Sequence, residues 1–338
     1  MVLRLAGLGL GSPDYLTIRA LESIRRSKRV YLDLYTGYVS DELLSYIISN
    51  AREVVRADRG LLEDDVKQVI DDARIGDVTV AIPGDPLFAT THIAMLVMAE
   101  RMAIEYEVIH GVSIVSAASA SSGLSPYRFG RIATLARSPA RESAGHVCET
   151  IASNSSYGLH TLVLLDTAMG GMTAGEAARI LINLGREQLD PQRLVIVLAR
   201  LGLSGEVRWV GTIGEIEDLK LPPPPHCLIF PAGLHSTERE ALSVLLKGRQ
   251  DAISRHNPPP SLKERTIKYV QNTSRVMRDL WTVNEVGVSQ VIALARSYLE
   301  DAENFINSGR VVDGLVSVVY AEGLLDALRA LDKVKLEW

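Results

Sequence analysis

The chain begins with a short apolar strand that runs into a glycine-rich turn and then into a helix start. Residues 3–17 read LRLAGLGLGSPDYLT, with alternating Gly7, Gly9 and Gly11 and an amphipathic helix predicted from about Thr17. Glycine lets a backbone adopt positive φ or pass close to a small molecule, and the first turn of a helix leaves backbone N–H groups unpaired. A junction of this kind indicates an α/β fold with a ligand at the turn.

A dinucleotide is one candidate ligand, because the dinucleotide fingerprint also places a glycine-rich turn between a first strand and a first helix. The third glycine of that fingerprint is missing here, and Pro13 and Asp14 fill the turn, where an acidic side chain would repel a phosphate. Asp33, about 20 residues downstream, is the one residue that fits. A dinucleotide site and a plain structural turn therefore stay open beside a site for another small molecule.

The composition is that of an ordinary globular protein of two or three domains. The 338 residues are 47% hydrophobic and 23% charged, and the net charge of −5 argues against nucleic acid and anionic membranes as partners. No apolar run reaches the ~18 residues of a membrane-spanning helix, and the first residues read as a strand rather than a signal peptide, so we expect a cytoplasmic protein. Cys148 and Cys227 stand far apart and the histidines are scattered, so we expect buried thiols and no metal.

Apolar, β-rich runs alternate with helical patterns along most of the chain, which is typical of α/β folds. A run of small residues from Ser113 to Gly123 predicts a helix that leads into a crossing between two such domains, at residues 1–122 and 123–248. The predicted strands are 2–8, 30–34, 78–82, 106–109, 161–165, 194–198 and 228–231.

The chain changes character after a proline-rich segment. Residues 249–261 contain RHNPPP, and we predict a linker there because consecutive prolines fix φ and lack N–H donors. Residues 262–338 carry apolar positions at helical spacing, with a stop at Ser308-Gly309, and predict three helices. Such a helical domain either binds a partner, mediates assembly or only stabilises the rest of the chain.

A second turn motif, Pro83-Gly84-Asp85-Pro86, follows the predicted strand VTVAI. Pro-Gly and Asp-Pro are also generic turn pairs, so a purely structural role is an alternative. Ligands in α/β sheets bind outside the carboxyl ends of the strands, where both this turn and the glycine turn lie. Two such turns side by side predict a binding cleft that carries one carboxylate.

These motifs carry a family resemblance that covers residues 1–247. GLGLGSPDYLT and PGDP resemble the S-adenosylmethionine-dependent methyltransferases built on the tetrapyrrole methylase fold. The resemblance implies two α/β domains with the methyl donor in the cleft between them, here followed by an all-α domain, and a homodimer. Within that family the chain is similar to the diphthine synthases of archaea in PGDPLFATTH, HGVSIVSA, YRFG, GLHTLVLLD, MTAGEA, VIVLARLG and PPHCLIFPAGLH.

The resemblance also implies a reaction and a donor site. The reaction is the transfer of methyl groups from S-adenosyl-L-methionine to the amino nitrogen of a modified histidine on translation elongation factor 2, which gives diphthine in diphthamide biosynthesis. Leu201 and Phe88 stand where relatives often have smaller aliphatic residues, a change that alters packing more than backbone contacts. The implied donor-binding residues are Leu10, Asp85, Phe88, Ser113, Ile114, Leu165, Leu201 and His226.

Methyl transfer to an amine requires alignment more than a strong base, because the sulfonium loses its charge as the methyl moves and an α-amino group titrates near ~8. No catalytic residue is therefore assigned. Asp85 is the candidate acceptor of hydrogen bonds from the donor's ribose or amino group, with a turn cap as the alternative. Asp33 and Asp166 are candidates for substrate contact or for loop caps, and His226 for a ligand hydrogen bond or a structural role.

Two segments stand apart from the ordinary family pattern. Residues 136–143, ARSPARES, replace an aromatic and proline-rich stretch of the relatives, so a contact to the elongation factor at this loop would be rebuilt in this chain. The segment GRVVDGLVSVVYAEGLLDALRAL resembles a small archaeal helical domain of unknown function. Two alternatives stay open: a same-fold methylase of a tetrapyrrole or ribosomal RNA, and a non-catalytic adaptor that binds the donor and assembles a complex through its helices.

Overall fold

The computed structural model describes residues 1–185, 189–282 and 285–338 and divides into two compact units. The first unit, Met1–Ala152 with His160–His256, contains two five-stranded sheets. The second unit, Ser153–Leu159 with Asn257–Trp338, is mainly helical. The expected class, two α/β domains followed by helices, is confirmed.

The first sheet is parallel and alternates with helices along the chain. Its strands are β1 (Val2–Gly7), β2 (Arg29–Asp33), β3 (Val54–Ala57), β4 (Val78–Ile82) and β5 (Glu105–Ile109), and the helices are α1 (Ile18–Arg26), α2 (Asp41–Asn50), α3 (Val66–Ile75), α4 (Ile93–Arg101) and α5 (Ile114–Ser121). The strand order is β3-β2-β4-β1-β5. Because β1 and β4 are neighbours, the glycine turn after β1 and the PGDP turn after β4 reach the same edge of the sheet.

Local sequence explains these elements. Leu3, Leu5 and Val80 are fully buried, since the central strands of a parallel sheet are covered on both faces. Helix α1 begins as predicted because Thr17 caps it, its Oγ1 accepting a hydrogen bond from the backbone N of Ala20 at 3.1 Å.

The second sheet is mixed and has the strand order β6-β7-β10-β8-β9. Its strands are β6 (Ala133–Leu135), β7 (Thr161–Leu165), β8 (Leu194–Ala199), β9 (Val207–Thr212) and β10 (His226–Phe230), and its helices are α6 (Ala140–Ser156), α7 (Ala174–Leu184), α8 (Ser236–Val244) and α9 (Gln250–Arg255). Only the β6–β7 pairing is parallel among the described pairs of this sheet. One face packs on α6 and α7 around Val163 and Leu228, and the other packs on α5, α8 and α9 around Leu162 and Ile229.

The second unit confirms the three predicted helices. They are α10 (Leu262–Arg278), α11 (Val286–Asn307) and α12 (Val311–Ala330), accompanied by the short strands β11 (Trp281–Thr282) and β12 (Val334–Lys335). The predicted stop is present, with Gly309 at φ +82° between α11 and α12. At Gly314 the two helices approach closely, because an added Cβ would lie 3.0 Å from Ile306 Cγ1 and 3.1 Å from the carbonyl oxygen of Ala302.

The predicted linker, residues 249–261, is shorter in the structure. Residues Gln250–Arg255 form α9, and its Ala252 and Ile253 are buried against the second sheet. Ala252 and Ile253 precede the prolines in sequence, so the backbone around them keeps the N–H donors that a helix needs. Residues 257–261 are the part of the predicted linker that lies beyond the first unit and has no helix or strand.

Both cysteines are buried, as expected, and burial raises the pKa of the Cys227 thiol to about 12. In the part of the chain that the structure describes, none of the helices has the length and apolarity that crossing a membrane requires.

Candidate active site

The glycine turn and the PGDP turn are hydrogen-bonded to each other. The backbone N of Gly84 donates to the carbonyl oxygen of Gly9 at 2.8 Å, and the N of Gly9 donates to the oxygen of Gly84 at 3.2 Å. Both glycines have positive φ, +69° for Gly9 and +77° for Gly84, where a side chain would be strained. The adjacency expected from the two motifs is therefore present.

A third glycine completes this junction. Gly111 follows β5, and an added Cβ there would lie 2.3 Å from the carbonyl oxygen of Gly84 and 2.9 Å from the Cα of Gly7. The backbones after β1, β4 and β5 thus touch directly, which only glycine permits. An added Cβ on Gly84 itself would meet no atom within 4 Å, so open space lies immediately beside Asp85.

Asp85 and Gly111 line a cavity of about 530 Å³. One wall comes from the turns after β4 and β5, and the other comes from α5 and from the entry to the second sheet. The lining residues include Asp85, Phe88, His110, Gly111, Ser113, Ser116, Phe129, Gly130, Ile132 and Leu162. Three of the predicted donor-binding residues, Asp85, Phe88 and Ser113, are brought together here.

Asp85 uses its two carboxylate oxygens for different contacts. Oδ1 accepts a hydrogen bond from the backbone N of Leu87 at 3.0 Å, which is the turn cap considered above. Oδ2 lies 2.8 Å from Nδ1 of His110 and accepts from the N of Gly111 at 3.4 Å. The His110 side chain is 74% exposed, so this partner of Oδ2 is open to solvent, and both residues line the cavity.

The next predicted residues lie where α5 and the glycine turn meet the second sheet. Ser113 caps α5, its Oγ accepting from the N of Val115 at 3.2 Å. Ile114 and Leu201 pack in the same apolar cluster. Leu10 adjoins the following residue, because an added Cβ on Gly202 would lie 2.7 Å from Leu10 Cδ1. Leu10, Ile114 and Leu201 therefore gather at the junction of the two sheets.

Leu165 and His226 direct their side chains elsewhere. Leu165 is buried in the cluster on the α6–α7 face of the second sheet. The N of Ala174 donates to His226 Nδ1 at 3.0 Å, and Nε2 donates to the carbonyl of Pro222 at 2.8 Å. Burial lowers the pKa of His226, so its ring is neutral and both nitrogens are engaged. Any donor contact by His226 falls to its backbone.

Asp33 and Asp166 cap loops. Asp33 is fully buried, and its Oδ1 accepts from the N of Tyr35 at 2.9 Å and of Thr36 at 3.0 Å. Asp166 accepts from the N of Arg137 at 3.0 Å and of Ala168 at 2.8 Å. Each carboxylate thus holds a loop at a strand end, which was the alternative to direct substrate contact.

The two capped loops touch. Thr167 Oγ1, beside Asp166, donates to the carbonyl oxygen of Tyr35 at 2.9 Å. Near this bond the Arg200 guanidinium stands 5.6 Å from the centroid of the Tyr38 ring, a cation–π distance. The second sheet therefore contacts the first at the carboxyl end of β2, on the opposite side of β4 and β1 from the cavity at β5.

Behind this contact lies a buried imidazole. His92 is fully buried, and neither ring nitrogen has a hydrogen-bond partner; Nε2 lies 3.5 Å from Asp33 Oδ2. Burial lowers the pKa of His92, and the nearby carboxylates of Asp33 and Glu63 only oppose this effect. The ring therefore stays neutral, and its centroid lies 6.3 Å from that of the Tyr35 ring in the loop after β2.

Sequence reasoning missed two functional candidates. His110 was not singled out, although it directly follows β5 at the carboxyl edge of the sheet, which is the signal that identified Asp85. Arg137 was seen only as part of a segment that departs from the family pattern. Its contacts join residues far apart in sequence and leave no local pattern.

Comparisons with known proteins agree with this architecture. The family model of Tetrapyrrole (Corrin/Porphyrin) Methylases matches residues 2–217, and a model of a protein of unknown function (DUF357) matches residues 268–334. The diphthine synthase of Staphylothermus marinus is 36% identical over 243 residues, which cover 70% of this chain and 90% of that protein. The diphthine synthase of Methanopyrus kandleri is also 36% identical, over 74% of this chain and 97% of that protein.

The similarity extends to eukaryotes and to solved structures. The diphthine methyl ester synthase of Bos taurus is 30% identical over 72% of this chain and 94% of that protein. A crystal structure of diphthine synthase superposes with a TM-score of 0.67 at 29% identity, covering 75% of this chain and 99% of that one. The chain therefore belongs to the tetrapyrrole methylases and, within that family, to the diphthine synthases.

Proposed function

We propose that this chain transfers methyl groups from S-adenosyl-L-methionine to the amino nitrogen of the modified histidine of translation elongation factor 2, giving diphthine. The observation that carries the proposal is the junction of Gly9, Gly84 and Gly111, which holds the carboxylate of Asp85 at the wall of a cavity. The diphthine synthase relatives supply the acceptor.

The cavity suits the donor in size and chemistry. Its volume of about 530 Å³ falls within the range of small-molecule sites. Asp85 Oδ2 offers an acceptor to ribose hydroxyls or an amino group, and Phe88 and Phe129 offer apolar surface to adenine. The open space beside Gly84 lets a ligand come close to the backbone. Two of the proposed donor-binding residues, Leu165 and His226, lie at strand ends of the second sheet and would act through their backbones. The full proposed set is Leu10, Asp85, Phe88, Ser113, Ile114, Leu165, Leu201 and His226.

The chain's residues would act by orientation. When bound, S-adenosyl-L-methionine supplies an electrophilic methyl group on a sulfonium whose charge is lost during transfer. Asp85 and the start of α5 would fix the donor, and the contact between the Tyr35 and Thr167 loops would border the acceptor's approach, so that amine and methyl group meet in line. The amine titrates near ~8, and a proton can leave it to water without a dedicated base.

We further propose that the enzyme acts in the cytoplasm as a homodimer and does not bind nucleic acid directly. The net charge of −5 supports the last point, since a phosphate-tracking protein is generally basic.

Release of S-adenosylhomocysteine, measured with different acceptors, tests the proposal. We expect release with elongation factor 2 that carries the aminocarboxypropyl histidine, and none with the factor whose histidine is unmodified. Release with ribosomal RNA or a tetrapyrrole instead would point to another acceptor. Tight donor binding with no release from any acceptor would favour a non-catalytic adaptor.

A further inference from the structure

The loop between β7 and α7, residues 166–173, is the part of the second sheet that touches the loop after β2. The touching atoms are Thr167 Oγ1 and the carbonyl oxygen of Tyr35, 2.9 Å apart. We call residues 166–173 the β7 loop. In the proposed function it borders the approach of the protein acceptor, whereas the donor cavity lies at β5.

The β7 loop has internal hydrogen bonds at its base, from the N of Met172 to the carbonyl oxygen of Asp166 at 2.7 Å and from the N of Gly171 to that of Ala168 at 3.1 Å, but its tip is exposed. Three successive residues, Met169, Gly170 and Gly171, have positive φ of +50°, +84° and +86°. Met169 is 85% exposed, and an added Cβ on Gly170 would meet nothing within 4 Å. A segment with this much glycine and exposed surface loses considerable backbone freedom on ordering, so contacts from outside the loop add to its order.

Arg137 supplies those contacts. Its Nη1 donates to the carbonyl of Ala168 at 2.8 Å, and its Nη2 donates to the carbonyl of Gly171 at 2.9 Å. The same Nη2 lies 3.1 Å from Oε2 of Glu176, while the backbone N of Arg137 donates to Asp166 at 3.0 Å. The guanidinium thus binds carbonyls on both sides of the exposed tip of the loop, because its planar set of N–H donors can serve two acceptors at once.

Glu176 links this clamp to the start of α7. Its Oε2 also accepts from the N of Thr173 at 2.9 Å, completing a capping box. The hydrogen bond from the Thr173 backbone and the contacts with Arg137 lower the pKa of Glu176, so the partner of the guanidinium is ionised near neutral pH. The loop is therefore fixed at its start, its middle and its end.

We propose that Arg137 is a positioning residue for methyl transfer: it holds the β7 loop so that Thr167 meets Tyr35 and the acceptor's entrance keeps its shape. The inference rests on the proposed function. It concerns the acceptor rather than the donor, because none of the partners of the guanidinium lines the cavity at Asp85. Leu165, next to the loop, is held instead by strand pairing with Leu135.

The test compares Arg137→Ala and Arg137→Lys with Arg179→Ala in the full chain. Arg179, on α7, pairs only with exposed Glu217 among its described ion pairs, so it controls for loss of a surface cation. We expect Arg137→Ala to raise KM for elongation factor 2 by roughly tenfold while the Kd for S-adenosyl-L-methionine changes less than about twofold. Arg137→Lys should recover only part of the loss, because an ammonium cannot span both carbonyls.

Two further readouts separate this inference from the proposed function. Thr167→Ala should reproduce the KM effect, and the double variant with Arg137→Ala should be no worse than the stronger single one. Amide hydrogen exchange across residues 166–173 should accelerate in Arg137→Ala and not in Arg179→Ala, and this is measurable without turnover. Three results for Arg137→Ala would each overturn the inference: faster amide exchange with an unchanged KM for the acceptor, unchanged amide exchange, or a loss of donor affinity as large as the rise in KM. An inactive wild-type chain would instead overturn the proposed function alone.

Discussion

Gly9 and Gly84 hydrogen-bond each other in both directions, so the turns after β1 and β4 form one unit at the edge of the first sheet. Gly111 packs on this unit with no room for a side chain. The backbone of Asp85, one residue after Gly84, is thereby held at this edge, and its carboxylate accepts hydrogen bonds from the N of Leu87 and of Gly111. The geometry of the proposed donor site depends on three glycines more than on any side chain.

Gly111→Ala is expected to disrupt this unit. The new Cβ would lie 2.3 Å from the carbonyl oxygen of Gly84, a backbone atom that cannot turn aside. We expect the free energy of unfolding to fall by about 1–3 kcal/mol, the usual cost of overpacking, and donor affinity to fall with it. Denaturant titration and calorimetric binding measure both, and Gly233→Ala, where an added Cβ meets nothing within 4 Å, is the control. Equal stability of the Gly111 and Gly233 variants would contradict the expectation.

Asp85→Asn separates ligand binding from turn capping. Asparagine keeps an oxygen for the N of Leu87 but replaces Oδ2, the acceptor beside His110 and Gly111, with a donor. We expect the Kd for S-adenosyl-L-methionine to rise about tenfold to a hundredfold, the value of a charge-assisted hydrogen bond, with little change in stability. Asp58→Asn is the matched control, since Asp58 Oδ1 likewise caps a backbone, that of Leu61, at 3.0 Å. Unchanged calorimetric affinity in Asp85→Asn would remove Asp85 from the site.

The fold was largely predictable because its central strands are apolar runs. All seven predicted strands are present, with ends within two residues of the prediction. Three strands of the first unit were missed for physical reasons: β6 has only three residues, β3 has only four, and β9, VRWVGT at a sheet edge, has neither a continuous apolar run nor a regular alternation. Such strands are defined by their neighbours in the sheet rather than by their own composition.

The site was predictable only where local rules apply. Asp85 and the glycine turn could be placed together because both follow parallel strands, and the carboxyl ends of such strands share an edge. Other features of the site depend on tertiary contacts. They are the hydrogen bonds of His226 with the Ala174 N and the Pro222 carbonyl, and the contacts of Arg137 with the β7 loop. No spacing in the sequence encodes those contacts.

Acidification is expected to destabilise the first unit through its buried histidines. Burial lowers the pKa of His256 to about 4, below its usual 6.5, while Nε2 donates to the carbonyl of Ala232 at 2.9 Å. The unfolded chain therefore binds the proton more readily, and stability present above pH ~6.5 is lost as the pH falls towards about 4. From pH 7.5 to 5.5 this residue alone should lower the free energy of unfolding by about 1 kcal/mol.

Denaturant unfolding at the two pH values measures the effect. His256→Gln retains an N–H for Ala232 and does not titrate, so its loss of stability on acidification should be smaller than that of the wild type. His92, His160 and His226, whose pKa values burial also lowers, should give the variant a residual dependence of the same sign. A variant with the wild-type pH dependence would show that His256 is not involved.

Two glycines of α12 should respond oppositely to the same substitution. An added Cβ on Gly314 would lie 3.0 Å from Ile306 Cγ1 and 3.1 Å from the carbonyl oxygen of Ala302, both on α11. An added Cβ on Gly323 would meet no atom within 4 Å. We expect Gly314→Val to destabilise the helical unit by about 1–3 kcal/mol through overpacking. Gly323→Val should be neutral or slightly stabilising, because valine is a better helix former than glycine. Circular dichroism melts compare the two, and equal melting temperatures would rule out close packing at Gly314.

The most direct measurement is mass spectrometry of elongation factor 2 carrying the aminocarboxypropyl histidine, after incubation with the full chain and S-adenosyl-L-methionine. We expect successive additions of one methylene mass, located by fragmentation on the amino nitrogen of that histidine and strongly reduced with Asp85→Asn. Methyl groups that hydroxylamine removes would instead lie on the carboxylate as an ester. If no methyl group is added to that histidine although the wild-type chain binds the donor tightly, the result would contradict the proposed function.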